Sequence, residues 1–416
     1  MTTRMFFILA AVLIWLGTPG WAHALDLEEA REIALERDEE LAALEAEARG
    51  TREQSVADGA LPDPELGVGY MNLPTDSFST REDMMTQLQL TARQRFPAGR
   101  TRELSTAIGE SQADAVQLEA EAREREVRRE VGQAWSDWYY SHQMLVLARE
   151  AEATFEQYVA ITHSRYASGT GTQRALNRAR LERAALEERI LELERERDDA
   201  RAQLARWVGR SALVDAAPGD AEIPSIPDGQ LRDQLVEHPR VQAAETRRIA
   251  EEQEIDRVRQ SYRPEWMVEF TYGHRRARDG GGEQMPDMFS GMVGVSVPLF
   301  TRNRQDREVA AAREAETAAT HRRADLVHEL DGQLQQAESA LERYRDLIAL
   351  YEDALLDEAA LSVALKLDAY RADREDFREL IRARVDELDY QLRLLGVERD
   401  RDRHRFELEY LVGETP

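Results

Sequence analysis

Cysteine is absent from all 416 residues, which excludes any disulfide and any lipid carried on an N-terminal thiol. Basic surface is also scarce. The formal net charge is −26, and phosphate attraction needs the opposite sign, so nucleic-acid binding is excluded. Beyond the first residues no apolar run approaches the ~20 residues of a membrane-crossing helix. The histidines from His142 to His404 form no His-x-x-x-His or Glu-x-x-His pair. His321 and His328 share a helix face but read as surface residues, so no metal ligand is assigned. Gly280-Gly281-Gly282 precedes no helix and is no phosphate loop. With no nucleophile elbow or paired-carboxylate motif either, no catalytic residue and no cofactor is expected. Proline is missing from Arg100 to Ser168 and from Arg302 to Tyr370.

The N-terminus reads as an address. Arg4 is followed by the apolar run Met5 to Leu16, a Thr18-Pro19-Gly20 break, and Ala22-His23-Ala24, which fits a small-x-small cleavage site. Residues 1–24 are therefore read as a signal peptide. The run is too short for a retained anchor.

Two proline-free stretches rich in Ala, Glu, Arg, Leu and Gln predict helices about 100 Å long. Helices of that length must pack side by side. Shorter partners follow at Thr172 to Val208 and Glu375 to Val412. In the first of these, Leu176, Leu186, Leu193, Leu204 and Val208 form an apolar stripe. The turns differ. Ser168-Gly169-Thr170-Gly171-Thr172 is neutral and rich in glycine, with Thr172 as cap. Ala372-Asp373-Arg374-Glu375 is charged, with Asp373 as the expected cap. Trp135, Trp138, Tyr139 and Tyr140 cluster inside the first long helix and read as packing residues.

Four segments alternate with period two. Leu66, Val68 and Tyr70 oppose Gly67 and Gly69. Leu88, Leu90 and Ala92 oppose Gln87, Gln89 and Thr91. Trp266, Val268, Phe270 and Tyr272 oppose Met267, Glu269, Thr271 and Gly273. Phe289, Val293, Val295 and Val297 oppose Ser290, Met292, Gly294 and Ser296. One apolar face and one small or polar face suits a strand between lipid and water; a soluble hairpin resting on a core is the alternative.

The chain is also duplicated. A shift of 200 residues carries Leu35, Ala43, Pro64 and Val68 onto Leu235, Ala243, Pro264 and Val268. A shift of 204 carries Tyr166, Leu176, Ala179 and Gly209 onto Tyr370, Leu380, Ala383 and Gly413. The expected fold is mainly α with a small β part, built from a repeated helix-strand-strand-helix-helix unit. The first repeat spans 25–210, with strands near 65–73 and 84–96 and a helical hairpin over 100–208. A linker covers 211–227. The second repeat spans 228–416, with strands near 265–274 and 288–298 and a hairpin over 302–412. Four strands cannot close a barrel, and open edges in lipid cost several kcal/mol per unpaired group. Two chains would make a plugged barrel of about eight strands, whereas three would make about twelve and leave a lumen. The small residues Gly, Ser and Thr on the polar faces favour the trimer.

These features carry a resemblance. Arg165-Tyr166-Ala167-Ser168-Gly169 with Leu176 and Ala179, closing at Leu204-Ala205-Arg206-Trp207-Val208-Gly209, resembles the hairpin signature of TolC-type outer-membrane efflux proteins. Tyr370, Leu380, Ala383 and Leu411-Val412-Gly413 repeat it, and Leu27-Glu28-Glu29-Ala30 and Leu61-Pro62-Asp63-Pro64-Glu65 are similar to the family's opening. Arg95-Phe96-Pro97-Ala98-Gly99-Arg100 resembles the Pro-x-Gly-basic joint of its heavy-metal branch. The resemblance implies a homotrimer in the outer membrane of a Gram-negative bacterium, a 12-stranded barrel continued by a coiled-coil barrel into the periplasm. It also implies a periplasmic adaptor (membrane fusion) protein and an inner-membrane pump, of the RND type in that branch, as partners. The chain would be a passive exit duct for metal ions or drugs.

Family members narrow the tunnel with acids just past the hairpin turn. Here the matching positions are Glu379 and Arg382, with Ala175 and Arg178 in the first copy, so the acidic ring is partial. Asp373, Glu375 and Asp376 could supply the missing charge, or could be acids favoured by a helix start. The aperture candidates are therefore Asp373, Glu375, Asp376 and Glu379; the adaptor-contact candidates at the tips are Gly169, Thr170, Gly171 and Arg374. The rival reading is a periplasmic coiled-coil adaptor or scaffold, which needs one hairpin flanked by compact β-domains. An exported enzyme has no constellation to support it.

Overall fold

The computed structural model describes residues 24–214, 216–219, 231–372 and 374–413. The signal peptide falls outside them except for Ala24, as do most of the linker and Asp373. Four strands carry the β part: β1 (Glu65–Met71), β2 (Gln87–Phe96), β3 (Glu265–Arg275) and β4 (Met288–Ser296). The principal helices are α1 (Leu27–Arg37), α2 (Glu39–Asp58), α3 (Thr101–Ala167), α4 (Gln173–Val208), α5 (Pro239–Arg259), α6 (Gln305–Leu350), α7 (Leu356–Arg371) and α8 (Phe377–Val412). The described residues divide into two compact units. One holds 24–37, 131–219 and 347–402; the other holds 38–130, 231–346 and 403–413.

The second unit carries the sheet, in the order β1-β2-β3-β4 with every pair antiparallel. Beneath it α2 and α5 start at defined caps. Asp38 Oδ1 accepts from Leu41 N at 2.7 Å, and Arg123 clamps the same carboxylate at 2.9 and 3.2 Å. The cap and the clamp outweigh burial, and the Asp38 carboxyl is held below the usual aspartate value. His238 is fully buried, accepts from Arg240 N at 3.2 Å, and precedes Pro239 at the first helical position. Gly109 interrupts the strong helix formers of α3 where that helix faces Ser55 of α2. A Cβ there would lie 2.9 Å from the Ser55 backbone, so only glycine lets α2 approach this closely. The unit's core joins Leu231, Leu235 and Val241 to Leu330, Leu334, Leu341, Leu408 and Leu411.

The first unit is built on the hairpin ends. The predicted stripe Leu176, Leu186, Leu193, Leu204 and Val208 is buried throughout. Leu186 and Leu193 meet Leu145, Phe155, Phe377, Leu380 and Ile381 in one core. The aromatic cluster divides between packing and hydrogen bonding. Trp135 and Trp138 are buried, Trp135 Nε1 donates to Leu25 O at 3.0 Å, and Tyr140 OH donates to the buried Asp402 at 2.6 Å. Burial first, then the Asp402 charge, pushes the Tyr140 phenol upward.

One expectation needs correction. The proline-free stretch predicts one continuous helix from Arg302 to Tyr370. It begins at Gln305, and a π turn over Tyr351–Leu355 separates α6 from α7. Leu356 N–H reaches back to Tyr351 O, five residues rather than four. Composition gives no warning, because a π turn uses the same helix-forming residues.

Candidate functional site

Strand register sorts the sheet into two continuous faces. Across the rungs, Val68 pairs with Leu90, Leu90 with Tyr272, and Tyr272 with Phe289. Leu66 similarly leads through Ala92 and Phe270 to Gly291. The large apolar side chains singled out by alternation within the strands therefore share one face. Most are exposed, Leu66 keeping 77% of its surface and Phe289 71%, while Leu88 and Val268 are half-buried. Soluble chains rarely expose so wide an apolar patch.

The opposite face is small, polar and charged. Gly67, Thr91, Thr271 and Ser290 form one rung, with the two threonine hydroxyls 3.3 Å apart. Glu65, Arg93, Glu269 and Met292 form another. Arg93 donates to Glu269 at 2.7 Å and to Glu65 at 3.3 Å, and Arg95 lies 3.2 Å from Glu65. This charged rung was not anticipated from the sequence. Its signal is the pairing of β2 with β3, across a gap that alternation cannot bridge.

At one end of the sheet β1 joins β2 through residues 72–86, and β3 joins β4 through 276–287. Asp279 Oδ1 pins the second loop by accepting from Gly281 N and Glu283 N at 2.9 and 2.8 Å. At the other end the strands run into the helices.

The hairpin ends hold most of the residues proposed from sequence. Gly169 has φ +78°, which a glycine adopts freely, and Thr170 N and Gly171 N both donate to Arg165 O. Thr172 caps α4 by accepting from Ala175 N at 3.2 Å. In the second tip Arg374 N donates to Ala369 O at 2.9 Å. The helix starts at Phe377, later than read, so the capping carboxylate is Asp376, which accepts from Arg378 N at 3.3 Å. The expected cap, Asp373, lies outside the described residues. Glu375 is exposed, while Glu379 pairs with Arg378 at 3.1 Å. The two tips lean together: Arg165 sits 5.0 Å over the Tyr370 ring, and Tyr158 meets Phe377 edge-on at 5.9 Å. The structure therefore brings the neutral and charged tips to one end of one unit.

A family model described as outer membrane efflux protein matches residues 30–210. That stretch is similar to the outer membrane efflux protein family. Solved structures extend the likeness to the fold of nearly the whole chain. The CusC structure is 15% identical, with 96% of each chain covered and a TM-score of 0.78. The outer membrane protein VceC of Vibrio cholerae is 16% identical over 93% of this chain and 96% of its own, with a TM-score of 0.75. The MtrE outer membrane channel of Neisseria gonorrhoeae, in its open state, is 16% identical over 93% and 89%, with a TM-score of 0.76. No curated protein matches the chain. Among the described residues, no helix is long and apolar enough to cross a membrane.

Proposed function

We propose that the protein is the outer-membrane channel of a tripartite efflux system, a passive exit duct. The observation that carries this is the two-faced sheet with open edges at β1 and β4. Its apolar face suits acyl chains and its polar face suits a water-filled lumen. Open edges are untenable in lipid, so copies of the chain join edge to edge. Three copies close about twelve strands around a lumen, which the small rung of Gly67, Thr91, Thr271 and Ser290 leaves unfilled. The hairpin ends then face the periplasm and meet a periplasmic adaptor, which links them to an inner-membrane pump. Asp376 and Glu379, with Glu375, stand at the aperture. Within this reading metal ions or drugs are the cargo, and the pump supplies the energy. The adaptor reading loses ground to the duplicated hairpins and the sheet they flank.

The test compares adjacent residues on opposite faces. Leu90→Arg puts a charge toward lipid and costs about 2–4 kcal/mol at mid-bilayer depth, whereas Gln89→Arg puts it toward water. Trimer yield in floated outer membranes should collapse for Leu90→Arg and persist for Gln89→Arg, with Gln89→Arg altering single-channel conductance in planar bilayers. Equal recovery of both variants, or no conductance from the wild type, would refute the channel.

A further inference from the structure

The two repeats leave the sheet by different joints. After β2 the chain turns into α3 within four residues, and Ala98 is buried while Arg100 N donates to Gln260 Oε1 at 3.2 Å. After β4 the joint is twice as long, and it carries Leu299 and Phe300 outward at 75% and 90% exposure. Arg302 and Arg304 follow, both exposed. At the opposite edge of the same sheet, the segment entering β1 carries exposed Leu61 and the exposed acid Asp63. An apolar basic segment thus leaves one edge, and an apolar acidic one enters the other.

Register decides whether they meet. β4 has nine residues and β1 seven, and antiparallel pairing between copies keeps every β1 residue paired in three registers only. These run from Met288 opposite Met71 to Ser296 opposite Glu65. The middle one sets apolar side chains against the polar face, because a slip of one residue flips the strand. In both remaining registers the chain beyond Ser296 runs beside the segment preceding Glu65. Phe300 falls level with Gly59 in one and with Leu61 in the other.

We infer that the β4–α6 joint of each copy is a clasp seated on the β1 entry segment of the next copy, with Leu299 and Phe300 against Leu61 and its prolines. The occupant is a second copy rather than lipid, since both allowed registers run the joint beside the next copy's β1 entry segment. The clasp gives the apolar pair a dry surface that its own chain does not provide. It rests on the edge-to-edge closure proposed above and adds a contact below the strands, outside the backbone ladder.

The absence of native cysteine makes the test clean. Phe300→Cys with Leu61→Cys in the full chain, expressed in outer membranes and mildly oxidised, should give reductant-sensitive two- and three-chain bands on denaturing gels. Either single variant, and the pair Phe300→Cys with Met85→Cys at the far end of the sheet, should stay single-chain. Phe300→Cys alone should react much more slowly with a water-soluble maleimide in the native assembly than after heating. If light scattering finds trimers but the pair bridges no better than the distant control, or the thiol labels equally fast in both states, the clasp is overturned and closure stands. A purely monomeric chain overturns both.

Discussion

His238 makes the stability of the sheet-bearing unit depend on acidity in a calculable way. Burial pushes its imidazole down from 6.5 to about 4, and the nearby Arg125 and Arg240 charges push the same way. Its ring packs 5.0 Å from Tyr410. The neutral ring accepts from Arg240 N, so protonation removes a helix cap as well as burying a charge. Because the folded value lies below the unfolded one, the unfolded chain takes up the proton first. The stability contribution is whole above about pH 6.5 and falls as pH drops, reaching its floor below about pH 4. Linkage puts the loss between pH 7 and pH 5 at about 2 kcal/mol per chain, and the full loss at roughly 3 kcal/mol. His238→Asn keeps a capping acceptor and removes the titration. Circular-dichroism melts of detergent-solubilised protein at pH 7 and pH 5 should show a larger acid-induced drop in Tm for wild type, by several degrees. The comparison cancels the acid sensitivity of carboxylates elsewhere. Equal drops in the two proteins, or an NMR titration of His238 near 6.5, would refute the reasoning.

Asp38→Ala should destabilise by about 2–3 kcal/mol, since it removes the α2 cap and one partner of a largely buried arginine; Asp38→Asn should cost about half that, as thermal melts would show. Gly109→Ala should cost about 1–3 kcal/mol because its Cβ meets the Ser55 backbone, and hydrogen exchange should quicken in α2 before the strands. Reversing Asp376 and Glu379 together to Lys should lower cation preference in planar bilayers. Unchanged reversal potentials would remove both from the aperture.

Local chemistry was readable from the sequence, whereas contacts across long gaps were not. The alternation of Val68, Leu90, Tyr272 and Phe289 announces an apolar face because strand periodicity is exact over a few residues. That these residues form one row follows only from pairing β2 with β3. The Glu65–Arg93–Glu269 rung has the same origin and was missed for that reason. The buried stripe of α4 was legible from helical spacing alone. The second hairpin cap was misplaced because several acids stand near the turn and only the helix start selects Asp376. The hydrogen bond from Tyr140 to Asp402 hid inside an aromatic cluster that reads as packing.

The π turn has a consequence for comparing the two halves. The run from α6 through α7 counts 67 residues, the same as α3. Equal length suggests that partners can be matched by adding a constant number. Past Leu355 that rule misdirects, because the wide turn rotates the following side chains by roughly 100° against an uninterrupted helix. Ile161 and Leu365 match in number yet differ in azimuth, so a role inferred for one does not pass to the other by counting.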